Sequence, residues 1–334
     1  MNRPSHYEAS PSLAPLFLLE TCLFLLIACT APRHAHSIAR MNDSLDELRA
    51  LAAKAENRRT PTGIPRVAMV QGKVPEHQLA AVYDPMINLI LQGSKTMTVG
   101  DRTLRYDPAT YFVMSVELPA VGTVHPATSG EPYLAVSLTL DPAVLSTLLT
   151  DLPQPVSRHD SDPGFSVAAV TAELMDAWVR MLRLMGDPNA IAALAPAYER
   201  EILFRVLQGP HGWMLREIAA PDTAMARVNA AIQWIRREFA EPIRVAFLAQ
   251  KAAMSVSAFH RHFKAVTTLS PLQYQKRVRL LQARMLMVTG GRTVTAAAFE
   301  VGYESPTHFS RDYARVFGLS PARDAGRILA QSRT

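Results

Sequence analysis

Two short stretches carry side chains suited to reading nucleic acid. Ser257, His260, Arg261 and Lys264 fall on one face of a helix, and so do Thr307, His308, Arg311 and Arg315 about fifty residues on. An arginine can donate twice to the O6 and N7 of guanine in a major groove, while Ser, Thr and His offer adaptable hydrogen bonds to base edges. The remaining cations suit backbone phosphates. His260 and His262, two apart on a helix, diverge and make no metal pair.

The stretches are partial copies. At a fixed offset, seven positions are identical: Ser255/Ser305, Phe259/Phe309, Arg261/Arg311, Val266/Val316, Leu269/Leu319, Ser270/Ser320 and Pro271/Pro321. Each copy begins with a capping serine, and the second has Pro306 at the first helical position, where its missing N–H costs nothing. Phe259, Phe263 and Val266 are expected inward, as are Phe309, Tyr313 and Val316. Each copy follows a short helix and a small turn, Ala253-Met254 or Val301-Gly302-Tyr303, which is the plan of a helix-turn-helix. One basic amphipathic helix alone reads as a solvated surface; two in register, behind matching turns, read as paired recognition helices.

The elements that must position them are legible around the repeat. Asp222 or Thr223 can cap a helix with Met225, Val228, Ile232, Ile235 and Phe239 on one face. A long joining helix runs from Ser270-Pro271 to about Val288, with Val278, Leu281, Met285 and Val288 as its core stripe. Lys276, Arg277, Arg279 and Arg284 make it basic. Lys264, Lys276, Arg277 and Arg315 are the expected phosphate contacts. Charge follows the same division. From Asp222 onward there are 17 Lys+Arg and 7 Asp+Glu, a net of +10, although the whole chain carries only +6. A basic third on an acidic remainder suits a nucleic-acid module attached to a regulatory body.

The amino-terminal half reads as short strands over Val67–Val70, Met86–Gln92, Lys95–Val99, Thr103–Tyr106, Tyr111–Val116 and Tyr133–Leu140. Such a pattern suggests a sandwich or small barrel, with room for a ligand in its mouth. His77 and His125 stand far apart with no H-x-H, so no metal is expected there; a cupin-type metal enzyme remains the competing reading. Two helices follow, Phe165–Met185 and Ala190–Leu207, either packed on the barrel or forming a dimer interface. The first forty residues hold an apolar run and both cysteines, Cys22 and Cys29. They read either as an export signal with a lipid-anchored Cys29 or as residues ahead of a true start at Met41. The single Arg3 before the run and Glu20 inside it favour the second.

Residues 223–324 resemble the tandem helix-turn-helix domain of the AraC/XylS family of transcription regulators. The resemblance rests on Phe259-His260-Arg261-His262-Phe263-Lys264, Ser270-Pro271, Val301-Gly302-Tyr303-Glu304-Ser305, Phe309-Ser310-Arg311, Phe317-Gly318 and Ser320-Pro321. The front half is similar to a cupin-like AraC-type amino-terminal domain through Tyr83-Asp84-Pro85, Gln92-Gly93-Ser94-Lys95, Leu118-Pro119 and Pro132-Tyr133-Leu134. The resemblance implies a multidomain α+β fold. Residues 41–160 form a cupin-like β-barrel for sensing, 161–221 a helical linker or dimerisation region, and 222–330 an all-α domain with two helix-turn-helix units. It implies base contacts from Ser257, His260 and Arg261 in the first unit and from Thr307, His308 and Arg311 in the second. Pro306 stands where some relatives have a polar residue, which removes one contact. The implied partners are double-stranded DNA, RNA polymerase, a small-molecule effector and a second copy in a homodimer. No membrane, cofactor, metal or enzymatic activity is implied; a cytoplasmic activator is.

Overall fold

The computed structural model describes residues 39–56, 59–72, 77–108, 110–152, 163–220 and 223–331. The apolar leader with Cys22 and Cys29 lies outside them, as does Asp222. Among the described residues no helix is long and apolar enough to cross a membrane.

Among the described residues, ten strands build the front half: β1 (Arg59–Pro61), β2 (Val67–Gly72), β3 (His77–Tyr83), β4 (Met86–Gln92), β5 (Ser94–Val99), β6 (Arg102–Tyr106), β7 (Thr110–Met114), β8 (Leu118–His125), β9 (Tyr133–Thr139) and β10 (Phe165–Ala169). They form two antiparallel sheets, one of order β1-β2-β9-β4-β7-β10 and one of order β3-β8-β5-β6. The expected cupin-like barrel is thus a pair of sheets that do not close into one hydrogen-bonded ring.

Helix α1 (39–52) precedes the strands. Helices α2 (Pro142–Thr150), α3 (Ala172–Arg183), α4 (Pro188–Gln208) and α5 (Gly212–Ala219) complete the front half. The six-stranded sheet is buried on both faces, which is why its strands read as continuous apolar runs. Ile87, Leu89 and Leu91 of β4 join Trp178 of α3 and Leu203 of α4 on one side. Ile90 joins Phe112, Met114 and Ala135 on the other.

Two expectations change here. Phe165–Met185 is not one helix. Phe165, Ser166 and Val167 pair with Met114, Val113 and Phe112 in β10, and Thr171 then caps α3. Phe165 and Val167 fit period two, while Val167, Val170 and Leu174 fit a helical face, and the sheet edge decides between them. The sheet domain therefore extends past residue 160, and residues of α3, α4 and α5 pack on its six-stranded sheet. Strands β3 and β8, and helices α2 and α5, carried no clear sequence signal; β8 contains Pro119 and Gly122.

Seven helices form the remainder: α6 (Ala224–Arg237), α7 (Val245–Lys251), α8 (Val256–Thr267), α9 (Pro271–Val288), α10 (Val294–Glu300), α11 (Pro306–Phe317) and α12 (Pro321–Gln331). Thr223 caps α6, and Ser270 with Gln273 forms a capping box on α9. The first helix-turn-helix unit shares its core with the sheets: Phe259, Phe263 and Val228 belong to one cluster with Met97, Leu118 and Phe165. Polar contacts reinforce that junction. The Glu117 carboxylate accepts from Gln233 at 2.6 Å and Arg236 at 2.7 Å, and its carbonyl accepts from Tyr274 at 2.8 Å. Thr268 donates to the Val99 carbonyl at 2.9 Å. The second unit has a separate core, with Leu280, Phe309 and Tyr313 at its centre.

Candidate nucleic-acid interface

The two recognition candidates, α8 and α11, are built alike. Ser255 Oγ accepts from the Ala258 N–H, and Ser305 Oγ from the His308 N–H. Caps of this kind each contribute about 1 kcal/mol. Phe259 and Phe263 anchor α8, as Phe309 and Tyr313 anchor α11; all four are fully buried. Inward anchors fix the outward face: Ser257, His260, Arg261 and Lys264 are exposed, and so are Thr307, His308, Arg311 and Arg315.

Each helix is aimed by its turn. The Met254 N–H donates to the Ala249 carbonyl at 2.9 Å, and the Tyr303 N–H donates to the Ala298 carbonyl at 3.0 Å. Both turns need a left-handed residue, supplied by Ala253 (φ 50°) and Gly302 (φ 84°). A Cβ on Gly302 would lie 2.1 Å from the Ala240 carbonyl oxygen, so that turn admits only glycine.

The basic stripe expected on α9 is put to other uses. Arg279 donates to the carbonyls of Phe239, Ala240, Glu241 and Gly302, tying the end of α6 to the second turn. Arg284 is buried and forms two hydrogen bonds, of 2.7 and 3.1 Å, to fully buried Asp324, which also accepts from Tyr313 and Arg327. Lys276 sits 2.8 Å from Asp312, a buried carboxylate that His308 also approaches at 3.7 Å. Arg277 faces a cleft of about 320 Å³ between the two halves, opposite Thr98, Val121 and Thr123, and burial lowers its pKa. Half-buried Val316 lines the same cleft. Met285, placed in the core stripe by sequence, is exposed; Tyr274, Leu280, Ala283 and Met287 are buried instead. These roles are invisible in the sequence, because a cation facing carbonyls or a carboxylate looks the same there as one facing phosphate.

A second candidate site lies between the sheets of the front half. A cavity of about 360 Å³ has walls from Val70, Val82, Met86, Val124 and Tyr133. Asn88 lines it too, but is already committed: it accepts from Tyr106 at 2.9 Å and donates to the Val136 carbonyl at 3.1 Å. Lys95 also faces this space and is only 5% exposed. In sequence Lys95 only opens the strand Lys95–Val99 and closes the Gln92-Gly93-Ser94-Lys95 motif. Period two along β5 puts it inward with Met97 and Val99. Among the described residues no three His, Cys, Asp or Glu side chains are grouped as a metal site would need.

Comparison with known proteins agrees with this division. Residues 63–214 match the profile described as the AraC-type transcriptional regulator N-terminus, and residues 248–326 match a helix-turn-helix domain. Together the two stretches span more than half of the chain. The chain belongs to the AraC family. Among curated members, it is 35% identical over 131 residues to the HTH-type transcriptional activator RhaS of Escherichia fergusonii, covering 38% of this chain and 46% of that one. It is 34% identical over 146 residues to RhaS of Klebsiella pneumoniae, covering 43% and 50%. This AraC-family chain thus spans about half the length of the curated relatives it matches. In fold it is similar to apo ToxT K231A of Vibrio cholerae, with a TM-score of 0.54 and 11% identity over 80% of this chain and 98% of that one.

Proposed function

We propose that this AraC-family chain is a sequence-specific DNA-binding transcription regulator. One observation carries the reading: two separately capped, aromatic-anchored helices each present an exposed Ser/Thr, His and Arg set behind a matching tight turn. In this reading α8 and α11 enter successive major grooves. Ser257, His260 and Arg261 read bases in one, and Thr307, His308 and Arg311 in the other. Lys264 and Arg315 hold phosphates, because they are exposed on the same faces. Lys276 and Arg277 join them only if the second unit shifts, since Asp312 and the interdomain cleft occupy them here.

The description of the RhaS relatives as transcriptional activators supports activation as the sign of regulation. Recruitment of RNA polymerase and action as a homodimer in the cytoplasm are part of the same reading. The role is regulatory rather than enzymatic, as befits the family. The cavity between the sheets is the effector site, close enough to the first unit to influence it through β5 and β8.

The test is Arg311→Ala assayed on DNA sites selected from random sequence. It should lose about 1–3 kcal/mol of binding and relax preference at one base pair. Unchanged affinity and preference would sink the assignment of α11.

A further inference from the structure

Among the described Lys and Arg residues of the strands, Lys95 is the buried one. The residue is only 5% exposed, and among the described residues no carboxylate forms an ion pair with it. Its Nζ lies over the Tyr83 ring, 4.9 Å from the centroid. A largely buried ammonium that faces a cavity without a counter-charge is unfavourable. The sheet nonetheless makes room for it. Gly122 sits beside it on β8, and a Cβ there would fall 2.7 Å from both Lys95 Cε and Tyr83 Oη. The cavity that Lys95 faces is mostly apolar.

From this geometry we infer that the cavity binds an apolar organic monoanion, a carboxylate on a hydrocarbon body, whose charged group pairs with Lys95. The inference rests on reading the cavity as the effector site and names the ligand class for it. The hydrocarbon replaces water against Val70, Val82, Met86 and Val124, and the carboxylate supplies the missing counter-charge. Gly122 keeps the space through which lysine and ligand meet. A neutral ligand of the same shape would gain the apolar contacts but leave the ammonium unpaired.

The charged and titratable groups around this point are few. Arg59 and Asp84 are exposed members of the cavity lining. Tyr83, Tyr106 and Tyr133 face inward, and burial raises all three above the ordinary tyrosine value, so they remain neutral near pH 8. Burial pushes Lys95 down to about 8. It is the ammonium form that pairs with a carboxylate, so carboxylate affinity should hold below that pH and fall above it.

The test is calorimetric titration of the full chain with octanoate, 1-octanol and octylammonium. Octanoate should bind roughly tenfold or more tightly than octanol, as expected for one charge-assisted contact, and octylammonium should bind more weakly than either. In Lys95→Met, checked for folding by thermal unfolding, octanoate and octanol should bind alike. Should that variant not fold, the wild-type pH series decides: the octanoate advantage should shrink between pH 7 and about 9.5 while octanol stays level. Equal binding of octanoate and octanol by the wild type, or an advantage retained in Lys95→Met, overturns the inference. Lys95-dependent octanoate binding that leaves affinity for selected DNA unchanged supports the ligand class and counts only against the effector reading. A DNA response to octanoate that persists in Lys95→Met does the reverse.

Discussion

Asp324→Asn tests how the second helix-turn-helix unit is held. Asp324 is fully buried and accepts from Arg284 Nε at 2.7 Å, Arg284 Nη2 at 3.1 Å, Arg327 at 2.8 Å and Tyr313 Oη at 2.8 Å. The substitution keeps the shape, removes the charge and turns one acceptor into a donor facing donors. Arg284, itself nearly buried, is left without its counter-charge. Breaking a buried pair in this way costs about 3–5 kcal/mol. Phe309 and Tyr313 belong to a core separate from the sheets, so the loss should fall on α10–α12 first. Urea unfolding should show an early transition for this unit, and footprinting on a selected site should lose the half protected by α11 while keeping the half protected by α8. Replacing the pair together, as Arg284→Met with Asp324→Leu, should cost far less than the single change, because no charge is then stranded. Unfolding within about 1 kcal/mol of wild type for Asp324→Asn would refute the reasoning. The pH dependence has a definite sign. Burial alone would raise the Asp324 pKa, but hydrogen bonds from Arg284, Arg327 and Tyr313 outweigh it and leave the pKa lowered. The stabilisation is therefore present above the unfolded aspartate value and is lost as pH falls through the lower folded one.

Gly302→Ala should destabilise the second unit by about 1–3 kcal/mol or more, through left-handed strain and the clash with the Ala240 carbonyl, seen as a lowered melting temperature. Lys264→Ala should leave stability unchanged and reduce the salt slope of DNA binding by roughly one. Lys276→Ala should instead lower stability, because it strips the 2.8 Å partner from buried Asp312; equal stability of the two variants would contradict the structural role given to Lys276.

The helix-turn-helix half was the more legible. Its helices are local objects, and their signals are local too: Ser255, Ser270, Ser305 and Pro306 mark starts, and the Phe259/Phe309 register marks the inner face. The front half was read less completely. β3 and β8 pair with each other along their length, but Pro119 and Gly122 interrupt the strand pattern of β8, and what Gly122 does becomes visible only beside Tyr83 and Lys95.

By itself, the sequence determined the two helices α8 and α11, their caps, their turns and the exposed sets from Ser257 to Lys264 and from Thr307 to Arg315, because periodicity and capping act within a few residues. Only the tertiary structure decided where the charges of α9 go. Arg279 meets carbonyls, Arg284 meets Asp324, Lys276 meets Asp312 and Arg277 meets the sheet domain, each partner lying 20 or more residues away. It also decided that Lys95 is buried without a counter-charge. Burial depends on what two sheets and a glycine place around a side chain, and no spacing along the chain encodes that.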